Sequence, residues 1–292
     1  MAVGTLANGL LARLSPPAGV FLVFFSHFFG AIHGSIVQAS PPSEALRAVG
    51  VLAVGSFFLS NTIHGWNDLI DAPIDKEVAR TKDRPIVRGA VSPLGAFVFT
   101  VTQALSAVAV LYTLPDFAPL ASIPSVVANF YYPWSKRHTH LAQFVLGVSL
   151  GWGVVVGTAA TGNVPWDPEV LAPTAYLLVS SVLWTVIYDT IYAFQEIEDD
   201  TRVGLKSTAV LFREYTKPFL WVCLGILNTL LFTYGYVLQL GLGYFVIAIG
   251  GCAASLGAMI AKVDLRDPSS CWWWFRYGFW LTGGLLWQFT VL

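Results

Sequence analysis

Between Asn67 and Arg84 the chain reads NDLIDAPIDKEVARTKDR, a dense run of carboxylates and bases that follows some twenty mostly apolar residues. On a helix Asn67 and Asp71 stand one turn apart, Asp68 precedes Asp71 by three residues, and Asp75 lies one turn further on. These side chains share one face. A second stretch, YDTIYAFQEIEDD, sets Asp189, Tyr192, Glu196 and Asp199 or Asp200 at steps of three and four, which makes a second acidic stripe. Two carboxylates about 4 Å apart repel by about 4 kcal/mol at an effective dielectric of 20. Two such stripes facing one cavity therefore call for cations between them.

Oxygen ligands with one or two carboxylates per ion suit Mg2+, which keeps waters and shares its shell with substrate phosphates. His27, His33, His64, His138 and His140 are scattered, each reading as a packing or interfacial residue, so no His/Cys set competes for zinc. Around the acids lie Arg80, Lys82, Arg84, Lys136, Arg137 and Lys206. Acids that hold a divalent metal, beside bases that neutralise what the metal leaves, describe a site for a polyanion. A diphosphate fits best, and apolar surroundings suggest a long apolar tail at its other end. The aromatics near these motifs, Trp66, Tyr131, Tyr132, Trp134, Trp152, Trp184, Tyr188, Tyr192 and Phe194, have two readings. They shield a developing carbocation by cation–π attraction, or, for most of them, form the interfacial aromatic belt of a membrane protein.

The elements that carry these motifs are apolar throughout. Of 292 residues 55 % are hydrophobic and only 11 % charged, with a mean hydropathy of +0.65. A water-soluble domain has about a quarter of its residues charged, so most of this surface faces lipid. Apolar runs of bridging length lie near 18–37, 46–66, 93–114, 118–134, 141–161, 172–192, 218–238, 243–262 and 271–291. None alternates with period two, so helices are expected rather than barrel strands. The fold class is therefore all-α, an integral membrane bundle of nine transmembrane helices, read as a single domain over residues 1–292. Pro73 removes one helical hydrogen bond and predicts a kink or a late helix end. GWGVVVG, Gly151 to Gly157, reads as a close-packing helix face. An acid-rich loop after the second segment and another after the sixth give a weak internal echo of two four-helix halves plus a ninth helix.

The connections after the first, third, fifth and seventh segments carry almost no base. All but two of the 16 lysines and arginines, Arg47 and Arg276, fall in the N-terminal leader or in the other set of connections. The positive-inside bias puts that set, with both acidic motifs, on the cytosolic face of a multi-pass protein. Topology alone does not explain the acids, and Asp189, inside the end of the sixth segment, marks a functional site by its insertion cost of roughly 2.5–3.5 kcal/mol. The N-terminus has one base, no acid and no clear small-residue cleavage site before the apolar run. It predicts neither a cleaved signal peptide nor an Arg-rich presequence, which favours the endoplasmic reticulum over the mitochondrial inner membrane. Cys223, Cys252 and Cys271 show no metal spacing and read as small core residues, not disulfides. A net charge of −1 is neutral on partners, and no nucleic-acid partner is expected.

NDLIDAPIDKEVARTKDRPI resembles the first signature of the UbiA superfamily of membrane prenyltransferases, N-D-x-x-D-x-x-x-D followed by R-T-K-x-R-P. DTIYAFQEIEDDTRVGLKST resembles the second, D-x-x-Y-A-x-x-D-x-x-x-D followed by G-x-K-S. YPWSKRHTHLAQ is similar to the Y-P-x-x-K-R-x-T-x-x-P-Q stretch of the 4-hydroxybenzoate polyprenyltransferase branch, and the opening RLSPPAG echoes its R-L-x-x-P-x-G. The resemblance implies helices around a central cavity, two Mg2+ ions and a polyprenyl diphosphate such as farnesyl diphosphate. Loss of diphosphate gives an allylic cation that alkylates an electron-rich aromatic ring. By position, Asn67, Asp68, Asp71 and Asp75 serve the first metal, Glu196 and Asp200 the second. Arg80, Lys82, Arg84, Lys136, Arg137 and Lys206 bind diphosphate. Asp71 joins Asp189 and Tyr192 as a catalytic group, the latter two lining the cavity and orienting the acceptor or taking its proton.

This sequence departs from the pattern at three places. Glu196 stands where the second signature has Asp, Phe194 where the ubiquinone branch usually has His, and Leu141-Ala142 where W/L-P precedes Gln143. A greasier cavity holds a polar benzoate less well. This points to specialised meroterpenoid metabolism, with a polyketide phenol or similar ring as acceptor, alongside quinone biosynthesis. Two other readings compete: a UbiA-type terpene cyclase that ionises farnesyl or geranylgeranyl diphosphate without an acceptor, and a non-catalytic ion or lipid transporter. A transporter predicts acids in mid-span, whereas these cluster at one end beside phosphate-type bases. A CDP-alcohol phosphotransferase needs D-x-x-D-G-x-x-A-R, but Ala72 follows Asp71 and the Ala79-Arg80 pair comes too late.

Overall fold

The computed structural model describes residues 18–287, so the RLSPPAG echo up to Pro17, with Arg13, lies outside the described residues. The chain folds as α1 (Ala18–Val37), α2 (Pro42–Asp75), α3 (Pro93–Leu111) and α4 (Phe117–His138). Two consecutive pieces follow, α5 (Ala142–Gly151) and α6 (Gly153–Ala160), then α7 (Pro168–Ala193). The short helices α8 (Ile197–Arg202) and α9 (Thr208–Phe212) lead into α10 (Thr216–Val237). A π-helical turn, Tyr244–Gly250, runs into α11 (Gly251–Lys262), and α12 (Pro268–Trp287) closes the chain. No strand occurs among the described residues. Helices α2, α3, α7 and α12 each begin at a proline, whose missing N–H is one of the donors a helix start leaves unbonded anyway.

Seven of these rods, counting α5–α6, α7–α8, α9–α10 and the π-turn with α11 as continuous stretches, are long and apolar enough to cross a bilayer on length and composition. Two of the nine expected spans, α4 and α12, fall outside that criterion. Polar residues and a basic last turn, Lys136 to His138, dilute the hydropathy of α4, and α12 draws much of its apolar surface from tryptophan, which such scales credit little. Both still pack in the bundle, α4 on α5 and α6, α12 on α11 and α7.

The glycine-rich segment packs as expected. A Cβ on Gly30 of α1 would fall on the Val154 carbonyl of α6, and one on Gly157 would fall on the His27 carbonyl. Small residues thus let two backbones touch, which in lipid replaces the hydrophobic drive that water would supply. Trp152 separates α5 from α6 and anchors them to α4 by donating its indole N–H to the Ala121 carbonyl at 2.7 Å. The main core joins α1, α7, α10 and α11, with Tyr188, Ile187, Ile191, Leu220, Leu227 and Leu256 fully buried. Cys223, Cys252 and Cys271 are free and buried, as their sequence context implied.

Candidate active site

Helix α2 runs through Pro73 and stops at Asp75, the late end that the proline predicted. Along its last two turns Asn67, Asp68, Asp71 and Asp75 are all buried. Carboxylates buried together require partners. The turn after α2 provides one by folding back. Thr81 Oγ1 donates to the Asp75 carbonyl at 3.1 Å, and Arg84 Nη1 lies 2.6 Å from Asp75 Oδ2 and 3.2 Å from Asp68 Oδ1. Burial pulls the Arg84 pKa down, yet the charges of Asp68 and Asp75 outweigh it and hold the guanidinium above its ordinary value.

The second stripe begins on the last turn of α7 with Asp189 and Tyr192. It then passes through a 3-10 turn, Phe194–Glu196, before continuing into α8. That tighter turn re-phases the chain so that Glu196 and Asp200 still reach the same cavity as Asp189. Glu196 pairs with Arg80 from the other motif, and the Arg80 guanidinium sits over the Tyr192 ring, 5.0 Å from its centroid. From α4, Lys136 Nζ lies 3.5 Å from Asp71 Oδ2 and 5.1 Å from the centre of the Tyr132 ring. Arg137 donates to the Ile70 carbonyl at 3.0 Å and stands 4.0 Å from Asp71 Oδ1. The backbone N–H of Lys206 donates to the Lys136 carbonyl at 2.7 Å, tying the loop after α8 to the end of α4.

These elements enclose a cavity of about 90 Å³ at one end of the bundle. Asp71 and Asp75 face it from one side, Asp189, Tyr192, Glu196 and Asp200 from the other, with Arg80, Arg84, Lys136 and Lys206 between. The two acidic stripes therefore do meet. Asn67, Asp68, Lys82 and Arg137 are not part of its lining. Asp68 stands behind Arg84, Arg137 braces the end of α2, and Lys82 is exposed.

Three features went unread in the sequence. Gln143, quoted above only as part of a motif, lines the cavity, donates to Asp189 Oδ2 at 3.4 Å and accepts from the Thr208 N–H at 2.8 Å. Trp272 and Phe275 of α12 pack against Tyr192 at tilted angles, with ring centres at 6.3 and 4.2 Å. No local pattern in that tryptophan-rich segment singles them out. A second, apolar groove of about 320 Å³ runs between α2, α3 and α4, with Trp66, next to Asn67, at one end.

Among the described residues no three Asp, Glu, His or Cys side chains converge into a ready-made metal cage. Mg2+ does not require one, since it takes one or two carboxylates and completes its shell with water and substrate oxygens. The donor set here is all hard oxygen, and Asn67 Oδ1 is buried with no hydrogen-bond partner beside the Asp68 and Asp71 turn. A cation would relieve that orphaned acceptor, so the residues fit the ion.

The profile of the UbiA prenyltransferase family matches residues 23–283. A UbiA prenyltransferase of Ampulloclitocybe clavipes is 33 % identical over 97 % of this chain and 89 % of its own. The mitochondrial 4-hydroxybenzoate polyprenyltransferase of Saccharomyces cerevisiae is 35 % identical over 91 % of this chain and 70 % of its own. That relative gives no support to the endoplasmic reticulum over the mitochondrion. The fold matches the apo structure of a UbiA homologue from Aeropyrum pernix K1, with a TM-score of 0.76 at 23 % identity, over 91 % of this chain and 98 % of that one. An all-helical membrane bundle with two converging acid motifs, matched by this profile over most of its length, belongs to the UbiA prenyltransferase family and is an enzyme of that family.

Proposed function

We propose that this enzyme transfers a prenyl group from a polyprenyl diphosphate to a hydrophobic aromatic acceptor within the membrane, with Mg2+ as cofactor. The observation that carries the reading is the meeting of the two acidic stripes with Arg80, Arg84, Lys136 and Lys206 around one cavity at the rim of an apolar bundle. Two ions are the expected complement: of the first motif's Asn67, Asp68, Asp71 and Asp75, the cavity-lining Asp71 and Asp75 would hold one with Asn67 and Asp68 behind them, and Glu196 and Asp200 would hold the other. When bound there, Mg2+ would supply neutralisation of the charge on the leaving diphosphate.

Arg80, Lys136 and Lys206 hold the diphosphate; Arg84 orders Asp75 and Asp68, and Lys82 and Arg137 stand further out as charge at the mouth. As the bond between the allylic carbon and the diphosphate oxygen breaks, its electron pair leaves with the diphosphate. A ring carbon of the acceptor then bonds the allylic carbon, and the displaced ring proton passes to a base. Asp189, held by Gln143, is placed to take it or to orient the acceptor, and the Tyr192 face is available to the cation. The apolar groove ending at Trp66 offers space of the character a prenyl tail needs. The acidic motifs face the cytosol on the positive-inside argument. The changes at Glu196, Phe194 and Leu141-Ala142 favour an acceptor of specialised meroterpenoid metabolism or a quinone precursor.

Purified protein incubated with farnesyl or geranylgeranyl diphosphate and Mg2+, with and without a panel of phenols, tests the reading by mass spectrometry. Prenylated phenol, and no turnover before a phenol is added, is the expected result. Hydrocarbon release without an acceptor would establish the cyclase reading in its place.

A further inference from the structure

We propose that Asp199 is a positioning residue: with Arg202 it clasps the backbone just before Arg80 and so sets that arginine over the cavity, rather than serving as a metal ligand. This rests on the reading of the cavity as a diphosphate site. Asp199 and Asp200 are neighbours, and the helical spacing left open which of them belongs to the acidic stripe. The structure separates them. Asp200 lines the cavity and Asp199 does not.

Both oxygens of Asp199 are committed elsewhere. Oδ2 accepts from the Ala79 N–H at 2.9 Å, across 120 residues of sequence. Oδ1 takes Arg202 Nη2 at 2.8 Å, and the same nitrogen donates to the Glu77 carbonyl at 2.6 Å. The ion pair itself is largely exposed on the Arg202 side, so as a charge pair it contributes little. Its value lies in the two backbone bonds, which hold Glu77 and Ala79 from the outside of the turn.

The next residue is Arg80. Its guanidinium is gripped by Glu196, three residues before Asp199 on the same segment, and stacked over Tyr192. One segment thus fixes Arg80 twice, by the head through Glu196 and by the backbone through Asp199. A long cationic side chain loses much rotamer freedom when it binds an anion, and fixing it beforehand removes part of that loss. The clasp therefore acts on anion affinity, and through Arg80 alone.

Binding of inorganic pyrophosphate in the presence of Mg2+, measured by calorimetry on the full chain in detergent, tests this. Asp199→Ala should weaken pyrophosphate roughly tenfold, the low end of what residues supporting a bound group contribute. Its Mg2+ dependence should keep the wild-type midpoint. Arg80→Ala should weaken pyrophosphate at least as much, and Asp199→Ala added to it should cost nothing further, the non-additivity of residues acting through one another. Ala79→Pro deletes the donated N–H without touching a charge and should reproduce Asp199→Ala. It carries the test should Asp199→Ala not fold. Losses that multiply in the double variant, a shifted Mg2+ midpoint, or unchanged affinity in Asp199→Ala and Ala79→Pro would each overturn the clasp. Wild-type protein that binds no pyrophosphate would sink the diphosphate reading itself, and the clasp with it; wild type that binds while the variants bind equally well sinks the clasp alone.

Discussion

Arg84 Nη1 lies 2.6 Å from Asp75 Oδ2, so the turn after α2 closes on the last residue of the helix that precedes it, and the same nitrogen reaches Asp68 at 3.2 Å. One guanidinium thereby pairs with two buried carboxylates two turns apart on one helical face. Removing it takes the compensating charge from Asp75 and one ionic partner from Asp68. Arg84→Met should lower stability by about 3 kcal/mol, the low end for breaking a buried pair. Arg84→Lys should fall between, because an ammonium keeps the charge and loses the planar fork. Thermal unfolding in detergent measures both, and a methionine variant as stable as wild type would count against the pair. A base whose pKa is raised loses its contribution only as pH climbs through that raised value, far above the working range. The pair should therefore show no pH dependence from its arginine side.

Asp71 is the acid of the first motif that both lines the cavity and stands near Lys136 and Arg137. Asp71→Ala removes a metal oxygen and relieves repulsion at once. Turnover should fall by more than about a hundredfold, the upper range for groups that support a bound metal, while the amount of protein in the membrane stays normal. Product formation per unit of purified protein decides it. Near-normal turnover would remove Asp71 from the metal site.

Chelation addresses the cofactor directly. EDTA should abolish product formation, and excess Mg2+ should restore it, because a diphosphate leaving group needs charge neutralisation beyond what Arg80, Lys136 and Lys206 provide. Turnover that persists in EDTA would show that the bases suffice. Such a result would reassign the acidic stripes to ordering those bases.

The contact of α1 with α6 offers a structural prediction. A methyl group on Gly157 would meet the His27 carbonyl, so Gly157→Ala must push two helices apart. The cost should be about 1–3 kcal/mol, typical of overpacking. Gly225, with open space around its Cβ position, is the control, and Gly225→Ala should be neutral or slightly stabilising. Equal melting temperatures for the two variants would refute the close approach.

Much of the site was legible because its signals are local. Asp71 and Asp75, or Asp189 and Tyr192, reach one cavity because helical periodicity puts them on one face, and that periodicity is written in the spacing itself. Helix positions followed from apolar runs for the same reason. Gln143 was not legible as a partner of Asp189, since 46 residues separate them and a glutamine in an apolar run has no distinguishing neighbour. The 3-10 turn at Phe194–Glu196, the break at Trp152 and the π-turn at Tyr244–Gly250 were also missed. Each is a small change of helical pitch imposed by packing, not by residue type.

By itself, the sequence determined that this chain is a membrane-embedded helical bundle with two acid-and-base motifs at one face, because composition, periodicity and charge placement are properties of short windows. Only the tertiary structure decided which base serves which acid. Lys82 and Arg84 carry the same charge two residues apart, yet one is exposed and the other locks Asp68 and Asp75. Asp199 and Asp200 are adjacent, yet one grips the Ala79 backbone and the other faces the cavity. A Coulomb interaction and a hydrogen bond depend on distances of a few ångströms between segments far apart in the chain, and packing of helices alone sets those distances.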